Sequence, residues 1–248
     1  MLNFYMISSG SKGNSTIIWD EDDLIIIDCG ITIKKFTEKT KEFNLDGIEK
    51  SIFISHEHSD HSKGVKPVSK NINADIYSRG KTLERLKIDG YNINDENAIG
   101  NFNITPVNVN HDAVDPVVYI IKNRGIKISV VSDLGKVNDD LIDEMKGSNI
   151  MAIEANYDLD MLLNGKYPWN LKNRIRSDHG HLSNEQSAEA IYEVLNDNTN
   201  IILTHLSENN NNPDTALDTV KTYLRNRDKK YKSIECASQY YGSTYYKF

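Results

Sequence analysis

The segment Ser55-His56-Glu57-His58-Ser59-Asp60-His61 holds three of the seven histidines of the chain within seven positions. It follows the apolar run Ser51-Ile52-Phe53-Ile54, whose composition is typical of a buried strand. Side chains two positions apart on a strand share a face, so His56 and His58 can reach one metal ion. If a helix begins at Ser59, Asp60 and His61 turn toward a second ion. The segment therefore predicts a metal site at the end of a strand.

Two other interpretations of this segment are less favoured. The helical zinc motif HExxH is absent, because the residue four positions after His56 is Asp60. A histidine-rich surface loop is the second alternative, but an apolar strand leads directly into the segment. Metal binding is therefore the preferred interpretation.

Further metal-ligand candidates stand at the ends of three other apolar runs. His111 follows Ile104–Asn110, Asp133 follows a run that ends at Ser132, and His205 follows a run that ends at Thr204. Each of them alone would more often be a hydrogen-bonded structural residue. Together with the first segment they would complete two coordination spheres.

Composition limits the class of protein. The chain has 248 residues and a net charge of −7, with 38% hydrophobic residues, which excludes disorder for most of the chain and disfavours sequence-blind coating of nucleic acid. Cys29 and Cys236 are far apart and form no CxxC motif, and no apolar run approaches 18 residues. We expect a cytoplasmic protein without membrane contact. No linker-like stretch divides residues 1–248, which predicts a single domain.

Local patterns predict an α+β fold with two sheets face to face and helices outside. The early part of the chain is rich in short strands, and later strands alternate with helices. The predicted strands are Asn3–Ser8, Thr16–Trp19, Leu24–Asp28, Ser51–Ser55, Ala74–Ser78, Phe102–Val109, Val117–Ile121 and Lys127–Ser132. The predicted helices are Ile33–Phe43, Lys81–Leu86, Asp139–Met145, Asn184–Leu195 and Pro213–Asn226.

The pattern His56-x-His58-x-Asp60-His61 resembles the HxHxDH signature of the metallo-β-lactamase superfamily. The resemblance implies an αββα sandwich, that is, two packed mixed sheets with helices on the outer faces, and a site for two divalent metal ions, zinc or manganese. By the family pattern one ion is held by three histidines, the other by an aspartate and two histidines, and an aspartate bridges them. These ligands are, in the same order, His56, His58 and His111; Asp60, His61 and His205; and Asp133.

A second pair of residues resembles the Glu and His dyad of the tRNA 3′-processing branch of this superfamily. Glu154 follows the run Ile150–Ile153, and His181 stands just before a predicted helix. In that branch the Glu orients a His that protonates the leaving oxygen, which is needed because phosphodiester cleavage releases a strongly basic alkoxide. The alternative is that His181 only caps its helix.

Longer stretches resemble the WalJ/VicX (YycJ) group of this superfamily. They are Ser8–Ser15, His111-Asp112-Ala113 and the residues between Tyr167 and Asn184. This resemblance implies a 5′-to-3′ DNA exonuclease linked to DNA repair, with single-stranded DNA or a DNA end as substrate. A hydroxide that bridges the two ions would attack the phosphate in line, with Asp60, Glu154 and His181 as catalytic residues.

Two segments are candidates for substrate binding. The first segment precedes His181 and combines aromatic and cationic side chains, as proteins that bind single-stranded nucleic acid do; its candidates are Tyr167, Trp169, Lys172 and Arg174. Alternatively, the two aromatic rings could pack into the core. The loop Ser8–Ser15 could cradle a phosphate with backbone N–H groups or be a plain turn. Its candidate residues are Ser11, Lys12, Gly13 and Asn14.

Two other functions stay open at this point. One is a phosphodiesterase for small, for example cyclic, nucleotides. The other is a non-catalytic, metal-stabilised regulatory protein, which the complete ligand set disfavours. The sequence leaves the oligomeric state open.

Overall fold

The computed structural model describes all 248 residues and divides them into two compact units. The first unit comprises Met1–Pro106, Ala113–Arg124 and Ala237–Phe248. The second comprises Val107–Asp112 and Gly125–Cys236. The single domain expected over residues 1–248 stays a prediction.

The first unit contains a seven-stranded mixed sheet. Its strands are β1 (Asn3–Ser8), β2 (Ser15–Trp19), β3 (Asp23–Ile27), β4 (Glu49–Ile54), β5 (Asp75–Ser78), β6 (Tyr91–Asn92) and β14 (Tyr246–Lys247). They lie in the order β14-β1-β2-β3-β4-β5-β6, antiparallel from β14 to β3 and parallel from β3 to β6. The carboxyl ends of β3, β4 and β5 therefore meet at one edge of this sheet.

Four helices belong to the first unit: α1 (Ile33–Thr40), α2 (Ser59–Ser62), α3 (Val65–Ile72) and α4 (Gly80–Leu86). Helix α3 contacts both α1 and β4. Phe36 of α1 and Val68 of α3 are buried with Ile26 and Ile52 of the sheet, so this face is a continuous apolar core. Because α2 follows β4 so closely, the histidine-rich segment lies at the carboxyl end of a central strand.

The second sheet also has seven strands and is mixed. Its members are β7 (Asn97–Ile99), β8 (Phe102–Asn108), β9 (Val117–Asn123), β10 (Ile126–Val131), β11 (Ile150–Glu154), β12 (Asn200–Thr204) and β13 (Ser233–Cys236). Strands β7 and β8 pair antiparallel, whereas β10 to β13 pair in parallel. Within the second unit, β11 and β12 are buried along their whole length, as expected for parallel strands covered on both faces.

The helices of the second unit are α5 (Asp139–Met145), α6 (Leu159–Asn164), α7 (Trp169–Ile175), α8 (Asn184–Val194) and α9 (Pro213–Arg225). Helix α8 contacts α5 and α9, and α9 contacts β13. A capping box starts α8: Ser183 Oγ accepts from the Gln186 N–H, and Gln186 Oε1 accepts from the Ser183 N–H. This cap fixes the turn that carries His181.

The structure confirms the α+β class with two mixed sheets and flanking helices. Predicted and observed elements agree within a few residues; α1 is the largest shortfall, since it ends at Thr40 instead of Phe43. Helices α3, α6 and α7 were not among the predicted elements. Asp158 caps α6 through an N–H bond from Met161, and α7 starts directly after Pro168. None of the helices combines the length and apolar character that a membrane span requires.

Candidate metal and catalytic site

The first unit brings together His56, His58, Asp60 and His61, which we call the first cluster. Helix α2 begins at Ser59, as predicted, and His58 precedes it as N-cap. His56 Nε2 lies 3.1 Å from His58 Nδ1, and His61 Nε2 lies 3.5 Å from Asp60 Oδ2. His56 and His61 are each only 1% exposed. Nitrogen and oxygen donors therefore face one another in a largely dry setting.

Asp28, which directly follows β3, orients His61 directly and His56 through Ser55. Its Oδ2 lies 2.8 Å from His61 Nδ1 and accepts from Ser55 Oγ, while its Oδ1 accepts from the Ser55 N–H. Ser55 Oγ in turn lies 2.9 Å from His56 Nδ1. Because Nδ1 is engaged in both rings, a metal would be bound through Nε2, an arrangement that carboxylates commonly impose on ligating histidines.

Asn14 fixes the main chain of the first cluster. Its N–H donates to the Asp60 carbonyl at 2.7 Å, and its Nδ2 lies 2.9 Å from His61 Nε2. The Asn14 carbonyl accepts from the Gly30 N–H. A side chain at Gly30 would place Cβ 1.5 Å from the Asp60 carbonyl oxygen, so only glycine allows this close approach. Asn14 thus ties the loop after β1 to the Asp60–His61 turn.

The same loop does not present a free set of backbone N–H groups. The Gly13 N–H donates to the Gly10 carbonyl, and the Lys12 N–H donates to Gln239 Oε1. With the Asn14 N–H bonded to Asp60 as well, the predicted phosphate nest is not formed from these three amides. The Lys12 ammonium donates to the Tyr240 hydroxyl at 2.7 Å. Contact of Ser11, Lys12, Gly13 or Asn14 with substrate stays a prediction.

The second unit brings together Asp133, Glu154, His181 and His205, which we call the second cluster; one ligand atom from each lies within 4.8 Å of the others. Glu154 Oε1 lies 2.6 Å from His181 Nδ1 and 3.2 Å from His205 Nδ1. Asp133 Oδ1 lies 3.6 Å from His205 Nε2. Glu154 therefore orients both imidazoles through Nδ1, and the Nε2 atom of His205 faces Asp133.

Protonation in the second cluster is governed by Glu154, which is 0% exposed. Burial would raise the pKa of Glu154, but the charge and hydrogen bond of His181 outweigh it, and the pKa is lowered. Burial would lower the pKa of His181, yet the Glu154 carboxylate outweighs burial and raises that pKa. The pair is thus an ionised carboxylate beside an imidazole that holds its proton more tightly than usual.

His111 and Asn156 complete the surroundings of the second cluster. His111 Nδ1 lies 3.2 Å from the Gly180 carbonyl, and its Nε2 lies 3.3 Å from Asp112 Oδ1. Burial lowers the pKa of His111, which favours the neutral, ligating form. Asn156 Nδ2 donates to the His205 carbonyl at 2.8 Å and lies 3.1 Å from His205 Nδ1.

Three residues of the clusters and their supports have left-handed backbone conformations. The φ angles are 58° at Asp28, 60° at Asp133 and 53° at His205. Each follows a buried strand, and such conformations cost about 1–3 kcal/mol in a residue other than glycine. They turn the side chain sharply at the strand end, a strain that is characteristic of functional sites.

The basic and aromatic segment before His181 forms α7 and its flanks. Trp169 is 60% exposed, so it is not a core residue, and the Arg176 guanidinium lies 5.9 Å from its ring centre. Arg174 Nε donates to Asp112 Oδ2 at 2.7 Å while remaining exposed. The Tyr167 hydroxyl accepts from Asn209 Nδ2. Trp169 and Arg174 are thus accessible to a ligand.

Lys172 is buried, unlike Trp169 and Arg174. Its ammonium donates to the carbonyls of Leu163 and Gly165, each at 2.7 Å. These bonds hold the end of α6 against α7. Substrate contact by Lys172 stays a prediction that this geometry does not favour.

The sequence reasoning missed Asp28, Ser55 and Asn156 as supports of the imidazoles. A usable signal existed for Asp28, because it ends an apolar strand in the same way as Asp133 and His205 do. Ser55 and Asn156 carry no such signal, since their roles depend on which ring nitrogen each one faces.

Comparisons with known proteins show the family to which the chain belongs. Residues 24–206 match the model of the family described as the beta-lactamase superfamily domain. The chain is 32% identical over 240 residues to exodeoxyribonuclease YycJ of Bacillus anthracis, covering 91% of this chain and 90% of that protein. It is 33% identical over 239 residues to exodeoxyribonuclease WalJ of Streptococcus pneumoniae, covering 91% and 89%. The metallo-β-lactamase fold protein YhfI of Bacillus subtilis superposes with a TM-score of 0.76 at 15% identity, covering 99% and 98%.

Proposed function

Because the chain belongs to the metallo-β-lactamase superfamily, we propose that this metal-dependent hydrolase is a 5′-to-3′ DNA exonuclease. The relatives named exodeoxyribonucleases cover nine-tenths of the chain, which supports a nuclease that acts on DNA. The Glu154–His181 pair carries the proposal within this structure, since it is the device that phosphodiester cleavage needs to protonate its leaving oxygen.

The donor set fits divalent metal ions. Imidazole nitrogens and carboxylate oxygens suit zinc and manganese, and the second nitrogen of His56, His61, His111 and His205 is engaged by the protein. By the family pattern, we propose that His56, His58 and His111 would hold one ion, that Asp60, His61 and His205 would hold the other, and that Asp133 would be a ligand of both. When bound, the ions would supply a water of lowered pKa as nucleophile and offset the charge of the phosphate oxygens.

His181 is the proposed general acid. Glu154 fixes its Nδ1, so that Nε2 is the nitrogen that donates a proton to the departing oxygen. The raised pKa of His181, caused by the Glu154 carboxylate, favours the protonated form that a general acid needs. Glu154 itself stays ionised and stabilises the protonated imidazole before transfer.

Trp169 and Arg174 are the proposed contacts to the DNA strand. An exposed indole can stack on a base, and a guanidinium can bind a phosphate without reading sequence. Arg174 is already aligned by Asp112, so its guanidinium needs little ordering on binding. Tyr167 lies on the same segment and would widen this surface.

Digestion of a 5′-phosphorylated oligonucleotide labelled at either end, under Mn²⁺, Zn²⁺ and Mg²⁺ and beside cyclic nucleotides, tests the proposal. We expect early release of a labelled mononucleotide from the 5′-labelled strand only, and no turnover after EDTA. Failure of a folded, metal-loaded sample to degrade DNA would refute the nuclease. Turnover of cyclic nucleotides without polymer cleavage would favour the small-nucleotide phosphodiesterase instead.

A further inference from the structure

The segment of residues 221–232 has the densest positive charge of the chain. It contains six cationic side chains and one anionic side chain, a net charge of +5 in a protein of net charge −7. The ion pairs of the chain involve other residues. We call this segment the 221–232 patch, and its exposed cations are Lys221, Arg225, Arg227, Lys230 and Lys232.

Aromatic rings hold part of this charge in place. The Arg227 guanidinium lies 3.6 Å from the ring centre of Tyr223, and the Lys229 ammonium lies 4.6 Å from that of Tyr192. Arg227 also donates to the Tyr223 carbonyl at 3.3 Å. Cations that are already ordered in this way lose less conformational entropy when they bind an anion.

The fold places the patch away from the second cluster. Strands β12 and β13 are parallel with Asn200 opposite Ser233, and the Lys232 N–H donates to the Thr199 carbonyl. His205 follows the other end of β12. At about 3.3 Å per strand residue, Lys232 and His205 are separated by about 20 Å along the strand.

A membrane surface is a poor fit for this patch. Apolar side chains that would insert into a bilayer are absent from its exposed residues. The apolar face of α9, formed by Ala216, Val220 and Leu224, is buried against the rest of the unit. Several exposed cations without exposed apolar side chains among them suit a polymer of regularly spaced phosphates.

We propose that the 221–232 patch binds the phosphate backbone of DNA at a distance from the cleaved end. This inference rests on the proposed nuclease function and extends it to a second contact. With phosphates about 3.4 Å apart along a strand, 20 Å corresponds to about six nucleotides. The patch therefore matters for longer DNA and not for a very short oligonucleotide, and it contributes no base specificity.

A charge-matched pair of variants tests the patch. The first replaces the five exposed cations of the patch by Gln, and the second does the same at five exposed lysines of the first unit. Both variants change the net charge by the same amount. The substitutions are Lys221→Gln, Arg225→Gln, Arg227→Gln, Lys230→Gln and Lys232→Gln in the first variant, and Lys34→Gln, Lys66→Gln, Lys70→Gln, Lys81→Gln and Lys87→Gln in the second.

Binding of a fluorescent 20-base-pair duplex is measured in EDTA at several salt concentrations, so that no cleavage occurs. In the patch variant we expect the slope of log K against log salt to fall by about 0.9 for each lost phosphate contact. We also expect at least a tenfold higher Kd at low salt, with binding of a four-nucleotide strand unchanged. The lysine variant should retain the wild-type slope. Thermal melting confirms that both variants fold.

Several outcomes would overturn the inference. Equal weakening in both variants would mean that only overall charge matters, and no weakening in either would mean that the patch does not contact DNA. Loss of binding to phosphatidylserine vesicles without loss of DNA binding would assign the patch to a membrane. Because these measurements need no catalysis, they remain readable if the exonuclease proposal itself fails in the digestion assay.

Discussion

The two clusters are built in different ways. The first takes all its histidines from one seven-residue segment, and Asp28 and Ser55 contact the Nδ1 atoms of His61 and His56. The second gathers Asp133, His181 and His205 from three separate segments around the buried Glu154, which contacts both imidazoles. The first arrangement presents imidazole nitrogens and the Asp60 carboxylate, whereas in the second the Glu154 carboxylate also raises the pKa of His181. Part of the proposed metal site is thus encoded locally, while the proposed general acid depends on the topology of the sheet.

The largest effect is expected when a proposed ligand is removed from either cluster. His61→Ala and Asp133→Ala should each lower nuclease activity to the metal-free background, because both ions are proposed to support the attack on phosphate. Metal content by mass spectrometry should fall by one ion or more. Asp22→Ala, at an exposed carboxylate, is the control. If either ligand variant retained full activity, the two clusters would not serve one reaction.

Removal of the proposed general acid should distinguish the role of the second cluster from metal binding. His181→Ala should lower kcat by about 10²–10⁴-fold, which is the usual contribution of a positioned acid or base. Its metal content should stay unchanged, since His181 is not a proposed ligand. His179→Ala, two positions away at an exposed histidine, should behave as wild type. Loss of metal from His181→Ala would instead make this residue a ligand.

Substitution of Asp28, which supports the first cluster, should reduce metal binding less than removal of a ligand. Asp28→Asn weakens the hold on His61 Nδ1 and should reduce metal affinity by about 10–100-fold, as is typical for such supports. Titration with a competing chelator measures this change, and Asp22→Asn is the matched control. Unchanged affinity would show that Asp28 only shapes the backbone after β3.

The smallest effect is expected from removal of the metal, which should leave the backbone around the first cluster unchanged. Burial raises the pKa of Cys29 to about 12, and the Cys29 N–H donates to the His61 carbonyl. At pH 8 only about 10⁻⁴ of such a thiol is ionised, so alkylation should be negligible in the folded protein and rapid once it is denatured. EDTA should not change the rate measured on the Cys29 peptide. Faster labelling in EDTA would mean that metal, and not the Asp28 and Ser55 hydrogen bonds, holds this cluster together.

The predictable part of the site is the part encoded by local periodicity. Residues that end apolar strands, such as Asp133 and Glu154, could be recognised because strand ends of a parallel sheet meet at one edge. The segment from His56 to His61 could be recognised from spacing alone. The general fold followed from the strand and helix patterns, but element ends were misplaced by a few residues and helices α3, α6 and α7 were missed.

The remaining part depends on three-dimensional competition for hydrogen bonds. The sequence cannot show that the Lys12 N–H is taken by Gln239, more than two hundred residues away. Nor can it show that Lys172, among several nearby cations, is the one whose ammonium meets the carbonyls at the end of α6. Local propensity does not determine which partner a polar group finds.

The most direct test of the account uses a DNA linkage whose leaving oxygen is replaced by sulfur. A thiolate leaves without protonation because thiols are far more acidic than alcohols, so the acid becomes unnecessary. Single-turnover cleavage of the sulfur and oxygen linkages is compared in wild type and His181→Ala with the same metal. We expect the variant to be slow on oxygen and close to wild type on sulfur. An equal defect on both linkages, with metal content intact, would contradict the role of His181 as the acid.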